Sequence, residues 1–409
     1  MLTPQLIKER LQQLNPAKKV LVAFSGGMDS HVLLHSLAQL NDYQVRAIHI
    51  HHGLQPEADD WVAHCQEICT QLDVPLQVEF LKLALLKGKS EEELARVGRY
   101  DAFRKHIQGD EILVTAHHQQ DQAETLLLQL IRGAGVKGLS AMPAIIPFAS
   151  GYLARPILDI TFSDLKGYAQ HHQLDYIVDP SNQDNRYDRN FLRQKVLPIL
   201  RERWKRIDKT LSRVARHQAE TQQLLDDIAL QDLQDCSNQD EKSLSVPGVL
   251  KLKQIRQKNL IRYWISHQGF KLASEKKLQH ILQNVLLAKE DAQPLLVWEG
   301  AEIRRYQDRL YIMPPMSRHD PHQCLSWDAK TPLKISSLGI TLTPDILQLS
   351  DQPVTVRFRC GGEKIYIPQR GHHISLKNLL NEAGVPPWLR TRLPLIYRNN
   401  ELVQVIGLE

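Results

Sequence analysis

The sequence predicts an α/β protein: an N-terminal doubly wound parallel sheet, then a mainly helical middle domain and a small α+β C-terminal domain. Three observations lead there. Apolar, β-branched runs alternate with amphipathic runs through the first half; the pattern turns helical after about Trp204; strand-like runs return near the C-terminus.

Taken in order, "KVLVAF" reads as a buried strand and "DSHVLLHSLAQL" carries apolar residues at helical spacing. "YQVRAIHI", "LQVEFLKL" and "EILVTAH" are further strands, and "DDWVAHCQEICTQL", "SEEELARVGRYDAFRKHI" and "DQAETLLLQLIRG" further helices. Strands alternating with helices of this length make βαβ units, and ligands of such sheets sit at the carboxyl ends of strands where strand order reverses. From about Trp204 to Ala288 the chain reads as helices, followed by a hairpin-like "LLVWEGAEIRRYQDRLYIM" and a linker-like stretch from Pro314 to Pro332. "LKISSLGITL", "VTVRFRCGGEKIYI" and "ELVQVIGL" then read as strands around the helix "SLKNLLNEAG". The expected domains are 1–215, 216–315 and 333–409.

A chain of 409 residues exceeds one ordinary core, and 42% hydrophobic with 24% charged residues is globular rather than disordered. No apolar run approaches the ~18 residues of a membrane span, and "MLTPQLIKERLQQL" reads as an amphipathic helix, not a secretory signal. Five scattered cysteines fit reduced thiols, hence a cytoplasmic location. The net charge of +5 is uninformative, but its distribution is not. Arg186 to Arg216 holds eleven Lys or Arg against three acids, whereas from Glu220 to Glu241 every charge is acidic. Such a basic stripe suits a phosphate backbone, the plainer alternative being a solvated helix face.

The loop "SGGMDS" joins the first strand to the first amphipathic run. Backbone N–H groups at a helix start, with the positive end of the dipole, favour phosphate. Gly26 and Gly27 let oxygens approach the backbone, and Ser25 and Ser30 add hydroxyls. Asp29 would repel a bare anion, which implies Mg²⁺ between carboxylate and phosphates. The lysine that steadies β- and γ-phosphates in G-x-x-x-x-G-K-[ST] is missing, so the loop suits a departing pyrophosphate, with chemistry at the α-phosphate. The plain alternative is a Gly-Gly turn between strand and helix. A second stretch, "VTAHHQQDQAET", puts His117 and His118 at a strand end and Asp121 and Glu124 on one face of the next helix, where they could hold an amine or Mg²⁺, or only complement the dipole. No second His or Cys pair supports zinc binding by His117 and His118. With His52, they are candidate bases, the plainer alternative for each being a structural or adenine-side histidine.

"SGGMDS" resembles the loop of the PP-loop ATP pyrophosphatases, whose fold is adenine nucleotide alpha hydrolase-like. Together with "HIHHGL", "EELARVGRYDAF", "TAHHQQDQAET", "LARPIL", "DPSNQDNRYDRNFLRQKVLP" and the C-terminal "VRFRCGGEKIYIPQRGHHISLKNLLNEAGVPPWLRTRLPLIY", it is similar to the tRNA(Ile)-lysidine synthetase family. That resemblance implies adenylation of the wobble cytidine of a CAU-anticodon tRNA(Ile) at carbon-2, release of pyrophosphate, and displacement of AMP by free L-lysine. The tRNA would thereby pass from methionine to isoleucine identity. It implies ATP and Mg²⁺ at Ser25, Gly26, Gly27, Met28, Asp29 and Ser30, with Asp29 as metal ligand, and lysine at Asp121 and Glu124. Asp179, Asn182, Arg189, Asn190 and Arg193 would contact substrate or RNA. In the C-terminal segment from Val354, eight Lys or Arg face four acids with aromatics interleaved, and Arg390 and Arg392 are the RNA candidates there, Trp388 being read as core. Oligomeric state stays open, a homodimer included.

The nearest rival is a tRNA sulfurtransferase of the same superfamily, but "CQEIC" (Cys65, Cys69) fits two buried helical residues better than a sulfur carrier. An amidotransferase-type synthetase lacks its glutaminase nucleophile here, and a non-catalytic RNA-binding protein does not account for Asp29, Asp121 and Glu124.

Overall fold

Val20 and Val22 of the first strand pack into one buried cluster and Leu21 into another; Ile112 and Val114 divide from Leu113 in the same way. Alternation into two cores means a sheet covered on both faces. In the computed structural model, which describes residues 2–53, 55–81, 91–237, 242–289, 292–347 and 353–408, that sheet has six strands. The chain divides into two compact units, Met1–Leu224 and Leu225–Glu409.

The first unit runs α1 (Pro4–Leu14), β1 (Lys19–Ala23), α2 (Met28–Ala38), β2 (Gln44–His51), α3 (Ala58–Gln71), β3 (Leu76–Phe80), α4 (Glu91–His106), β4 (Glu111–Val114) and α5 (Gln119–Ile131). Then follow α6 (Val136–Leu139), β5 (Ile145–Phe148), β6 (Gly151–Ala154), α7 (Phe162–His171) and α8 (Asp188–Phe191). A π turn (Leu192–Val196) joins α8 to α9 (Leu197–Arg203), and α10 (Ile207–Cys236) runs through the boundary. Strand order is β3-β2-β1-β4-β6-β5, parallel except for β5, which pairs antiparallel with β6. The order reverses between β1 and β4, so the loops after these two strands open side by side. The sequence pattern did not resolve the β5–β6 hairpin. Pro147 sits within β5, which is tolerated because β5 is an edge strand.

In the second unit, β7 (Ser243–Ser245), α11 (Val246–Lys251), α12 (Gln254–His267) and α13 (Glu275–His280) precede β8 (Leu295–Trp298), β9 (Ala301–Tyr306) and β10 (Arg309–Met313). The expected hairpin is thus three strands, and β7, inside the stretch read as helical, adds a fourth to give the order β7-β10-β9-β8. Trp264 is fully buried in the core that these elements share. The linker-like stretch contains a strand, β11 (Leu325–Trp327), and "LKISSLGITL" folds back as β12 (Leu333–Ile335) and β13 (Ile340–Leu342). β14 (Val354–Arg357), β15 (Lys364–Ile367), β16 (His372–Ser375), α14 (Leu376–Glu382), α15 (Pro387–Arg390), β17 (Leu395–Arg398) and β18 (Glu401–Val405) complete the unit. Its larger sheet has the order β11-β14-β17-β18-β15-β16. Among the described residues no helix is long and apolar enough to cross a membrane.

Leu113 is fully buried at the centre of the first sheet. Leu113→Ala is expected to cost about 2–5 kcal/mol of stability, read as a lower denaturant midpoint for the first unit.

Candidate active site

The loop after β1 is closed by its own side chains. The Ser30 hydroxyl donates to the Gly27 carbonyl (2.9 Å), accepts from the Ser25 amide (3.2 Å) and lies 3.0 Å from the Ser25 hydroxyl. Gly27 caps α2 without any side-chain bond, so the first amides of that helix face outward with the positive end of its dipole. Gly26 has a φ of +82°, and a Cβ there would lie 2.4 Å from Ile177 Cδ1. Only glycine satisfies both constraints. Ile177 holds the loop in return: its amide donates to the Gly26 carbonyl (3.0 Å), beside a parallel bridge between Gly27 and Ile177.

This loop forms one wall of a cavity of about 390 Å³. Ala23, Ile48, Ile50, Phe103 and Ala116 give it an apolar floor; Ser25, Gly27, Asp29, Ser30, His52, His117, Asp179 and Asn182 give it a polar rim, with Arg99 and Tyr100 beside them. Asp179 caps a short 3₁₀ turn by accepting from the Ser181 amide (2.8 Å), and Asn190 pins that turn by donating to the Ser181 and Asp184 carbonyls (2.9 and 3.0 Å). Asn190 is therefore a scaffold for Asp179 and Asn182. Met28 packs against the core instead.

The carboxylates of α5 have partners that the sequence did not disclose. Arg189 donates to Glu124 and Asp121 (both 2.8 Å), and Arg193 donates to Glu124 (2.6 and 2.9 Å) and Asp121 (3.1 Å). Gln120 adds a bond to Glu124 at 3.0 Å, and Glu124 is fully buried. Two buried anions are thus balanced by two partly exposed cations. Burial alone would raise the Asp121 pKa, but the charges of His118, Arg189 and His117, with the His118 amide, hold it below the usual carboxylate range.

His118 ties this cluster to the loop. Its amide donates to Asp121 (2.9 Å), its Nδ1 accepts from the Gln120 amide (3.3 Å), and its Nε2 lies 3.5 Å from Asp29. Burial works against its protonation, yet Asp29 and Asp121 outweigh this and raise its pKa. Its neighbour behaves oppositely: burial pushes His117 down to about 3 and His52 to about 4. The Oδ1 atom of Asp29 is buried without a hydrogen-bond partner. Such an oxygen fits a cation ligand, so the donor set is compatible with Mg²⁺ at Asp29.

The structure thus gathers Ser25, Gly27, Asp29, Ser30, Asp179 and Asn182 at the cavity, and Asp121, Glu124, Arg189 and Arg193 in the adjoining cluster. Arg390 and Arg392 lie in the second unit. Arg390 donates to the Val385 carbonyl (2.8 Å) and the Tyr306 hydroxyl (2.9 Å), Arg392 to the Ser317 carbonyl. Trp388 is buried against Tyr306 and Tyr311. Ile177, Arg99 and Tyr100 are cavity residues that sequence reasoning did not single out; "GRYDAF" was the signal for the last two.

Comparison with known proteins places these features in a family context. The PP-loop domain pattern matches residues 3–200, the TilS substrate binding domain residues 244–311, and the TilS substrate C-terminal domain residues 354–409. A tRNA(Ile)-lysidine synthase of Coxiella burnetii is 42% identical over 99% of this chain and 92% of its own length. Those of Serratia proteamaculans and Haemophilus influenzae are 41% and 37% identical, over 99% and 98% of this chain and 94% and 97% of their own lengths. Among solved structures, the U34-tRNA thiolase NcsA from Methanococcus maripaludis is 15% identical, with a TM-score of 0.46 over 53% of this chain and 78% of its own.

The two histidines set opposite pH dependences. His117 binds its proton less readily folded than unfolded, so it lowers stability as pH falls below its ordinary value of 6.5 toward 3. His118, raised, contributes stability that is full below 6.5 and lost as pH rises through its folded pKa. Denaturation between about pH 5 and 8 is expected to show His117→Gln less acid-sensitive than the wild type, and His118→Gln losing more stability at the acid end.

Proposed function

Because this chain belongs to the tRNA(Ile)-lysidine synthase family, it is an enzyme that uses ATP to modify tRNA, and we propose that it joins free L-lysine to carbon-2 of the wobble cytidine in a CAU-anticodon tRNA(Ile). The observation that carries this reading is the junction of two sites through one side chain: His118 touches Asp29 of the glycine loop and Asp121 of the carboxylate cluster.

In this reading the apolar floor takes the adenine and ribose. The loop amides, with the Ser25 and Ser30 hydroxyls, take the phosphates. Mg²⁺, held by Asp29, would supply positive charge against the phosphates. No lysine side chain stands in the loop to steady a γ-phosphate, so the amides retain pyrophosphate while the α-phosphate is transferred to the cytosine carbonyl oxygen. That makes AMP the leaving group for the second step.

Asp121 and Glu124 then face the ammonium groups of lysine, and binding exchanges contacts they now make with Arg189 and Arg193. Such an exchange keeps the buried carboxylates compensated throughout. His117 and His52, pushed to about 3 and 4, are weak bases at neutral pH. His118, whose Nδ1 accepts from the Gln120 amide and whose Nε2 lies between Asp29 and Asp121, positions those carboxylates rather than serving as a free base.

We assign residues 1–215 the catalytic role, and residues 216–315 and 333–409 the binding of tRNA outside the reacting base. Arg390 and Arg392 order the surface from which the C-terminal domain meets RNA. All five cysteines are free, which accords with a reducing cytoplasm. Sulfur transfer fits the site poorly. Cys65 is buried, its thiol pushed up to about 12, and no cysteine is among the described residues that line the cavity.

The test is incubation of the full chain with ATP, Mg²⁺, labelled lysine and an unmodified tRNA(Ile) transcript. We expect ATP-dependent label in RNA with stoichiometric AMP and pyrophosphate, and loss of pyrophosphate release of at least ~100-fold in Asp29→Asn. Pyrophosphate without lysine transfer would contradict the proposed acceptor; sulfur incorporation would replace it.

A further inference from the structure

A second cavity of the first unit, of about 440 Å³, lies where the starts of α5 and α7 meet the turn between α9 and α10. Three of its cations, Lys205, Arg206 and Lys209, are exposed, and among the described residues none has a carboxylate partner. The one acid in its lining, Asp208, is already bound by Arg201 at 2.7 and 3.0 Å. Phe162 stands in the lining with 45% of its surface in solvent.

The position of this cavity matters as much as its charge. Gln120, in its lining, donates to Glu124, and the Phe162 ring lies 5.9 Å from that of His118. The cavity is therefore one side chain away from the cluster that, in the reading above, holds lysine for the reacting base.

We propose that this cavity holds a nucleotide of the tRNA next to the modified base, with its phosphates on Lys205, Arg206 and Lys209 and its base stacked on Phe162. The proposal rests on the enzymatic reading for the identity of the RNA. Three exposed cations lining one cavity, whose single acid is already taken by Arg201, leave a net positive surface that a polyanion stabilises. An exposed aromatic beside them supplies a sequence-tolerant stacking face, as single-stranded loops require. An anticodon loop whose wobble base is drawn into the catalytic site must splay its neighbours, and this cavity offers one of them a seat. It would fix the register of the loop, so that one cytidine and no other reaches Asp29 and Asp121.

The experiment titrates the full-length protein with a labelled anticodon stem-loop RNA across ~50–200 mM salt. For Lys205→Ala combined with Lys209→Ala, affinity should fall about tenfold and the slope of log K against log salt should flatten by about 1.4, about 0.7 for each lost single-strand phosphate contact. For Phe162→Ala, affinity should fall by about tenfold with the slope unchanged, because stacking releases no counterions. A photo-crosslinker on Ser163→Cys should label nucleotides flanking the wobble position. Affinity and slope within twofold of wild type, in variants with unaltered thermal unfolding, would overturn the proposal, as would crosslinks confined to other parts of the RNA. The two readings fail separately. RNA binding with these dependences but no lysine transfer would sink the enzymatic reading alone; lysine transfer with RNA binding indifferent to the substitutions would sink the cavity alone.

Discussion

Four charges hold the site together. Asp121 and Glu124 leave α5, Arg189 leaves α8 and Arg193 the π turn after it, and each arginine reaches both carboxylates. Removing the arginines would leave two buried carboxylates uncompensated, a loss of about 3–5 kcal/mol for a broken buried pair; the arginines themselves, partly exposed, would suffer less from the converse loss. The cluster therefore fixes where α5 meets the α8–α9 segment. Through Asn190 on that segment it also fixes the turn that carries Asp179 and Asn182 to the cavity rim. In the proposed reaction, lysine would bring the same cationic chemistry as the arginines it would replace. The cluster is then both a structural clasp and a site that is already complementary to a cation.

The glycine loop obeys a different constraint. There the limit is steric: Gly26 has a positive φ and Ile177 fills the space that a side chain would need. The loop is shaped by the side chain of Ile177 and by its amide on the Gly26 carbonyl, and Ser30 closes it from within. An anion can approach because its wall consists of amides and hydroxyls rather than bulky side chains. His118 is where the electrostatic and steric constraints meet, since it caps α5 and faces Asp29.

Much of this was legible in the sequence, and the remainder was hidden for identifiable reasons. The β1–loop–α2 unit announced itself because every local signal agreed: a β-branched run, two glycines, then helical spacing. β5 was hidden because Pro147 breaks the strand pattern, and β7 because three residues are too few to show a period. Ile177 was hidden because its importance is a contact with Gly26, about 150 residues away along the chain. Arg189 and Arg193 were read as substrate or RNA contacts, whereas their donors reach Asp121 and Glu124. Spacing along one helix cannot reveal which distant helix it faces. The basic stripe was visible as composition, but only the fold separates its paired members, Arg189, Arg193 and Arg201 among them, from Lys205, Arg206 and Lys209, which have no carboxylate partner among the described residues.

The central claim is that the glycine loop activates and the carboxylate cluster receives lysine, as two separable halves of one site. Single-turnover kinetics of Glu124→Gln, with ATP, tRNA and a range of lysine concentrations, test it most directly. The account expects pyrophosphate release close to the wild-type rate, with the lysine concentration for half-maximal transfer raised by about 10- to 100-fold, the worth of one charge-assisted bond. Unchanged lysine dependence, or pyrophosphate release lost in step with transfer, would contradict it.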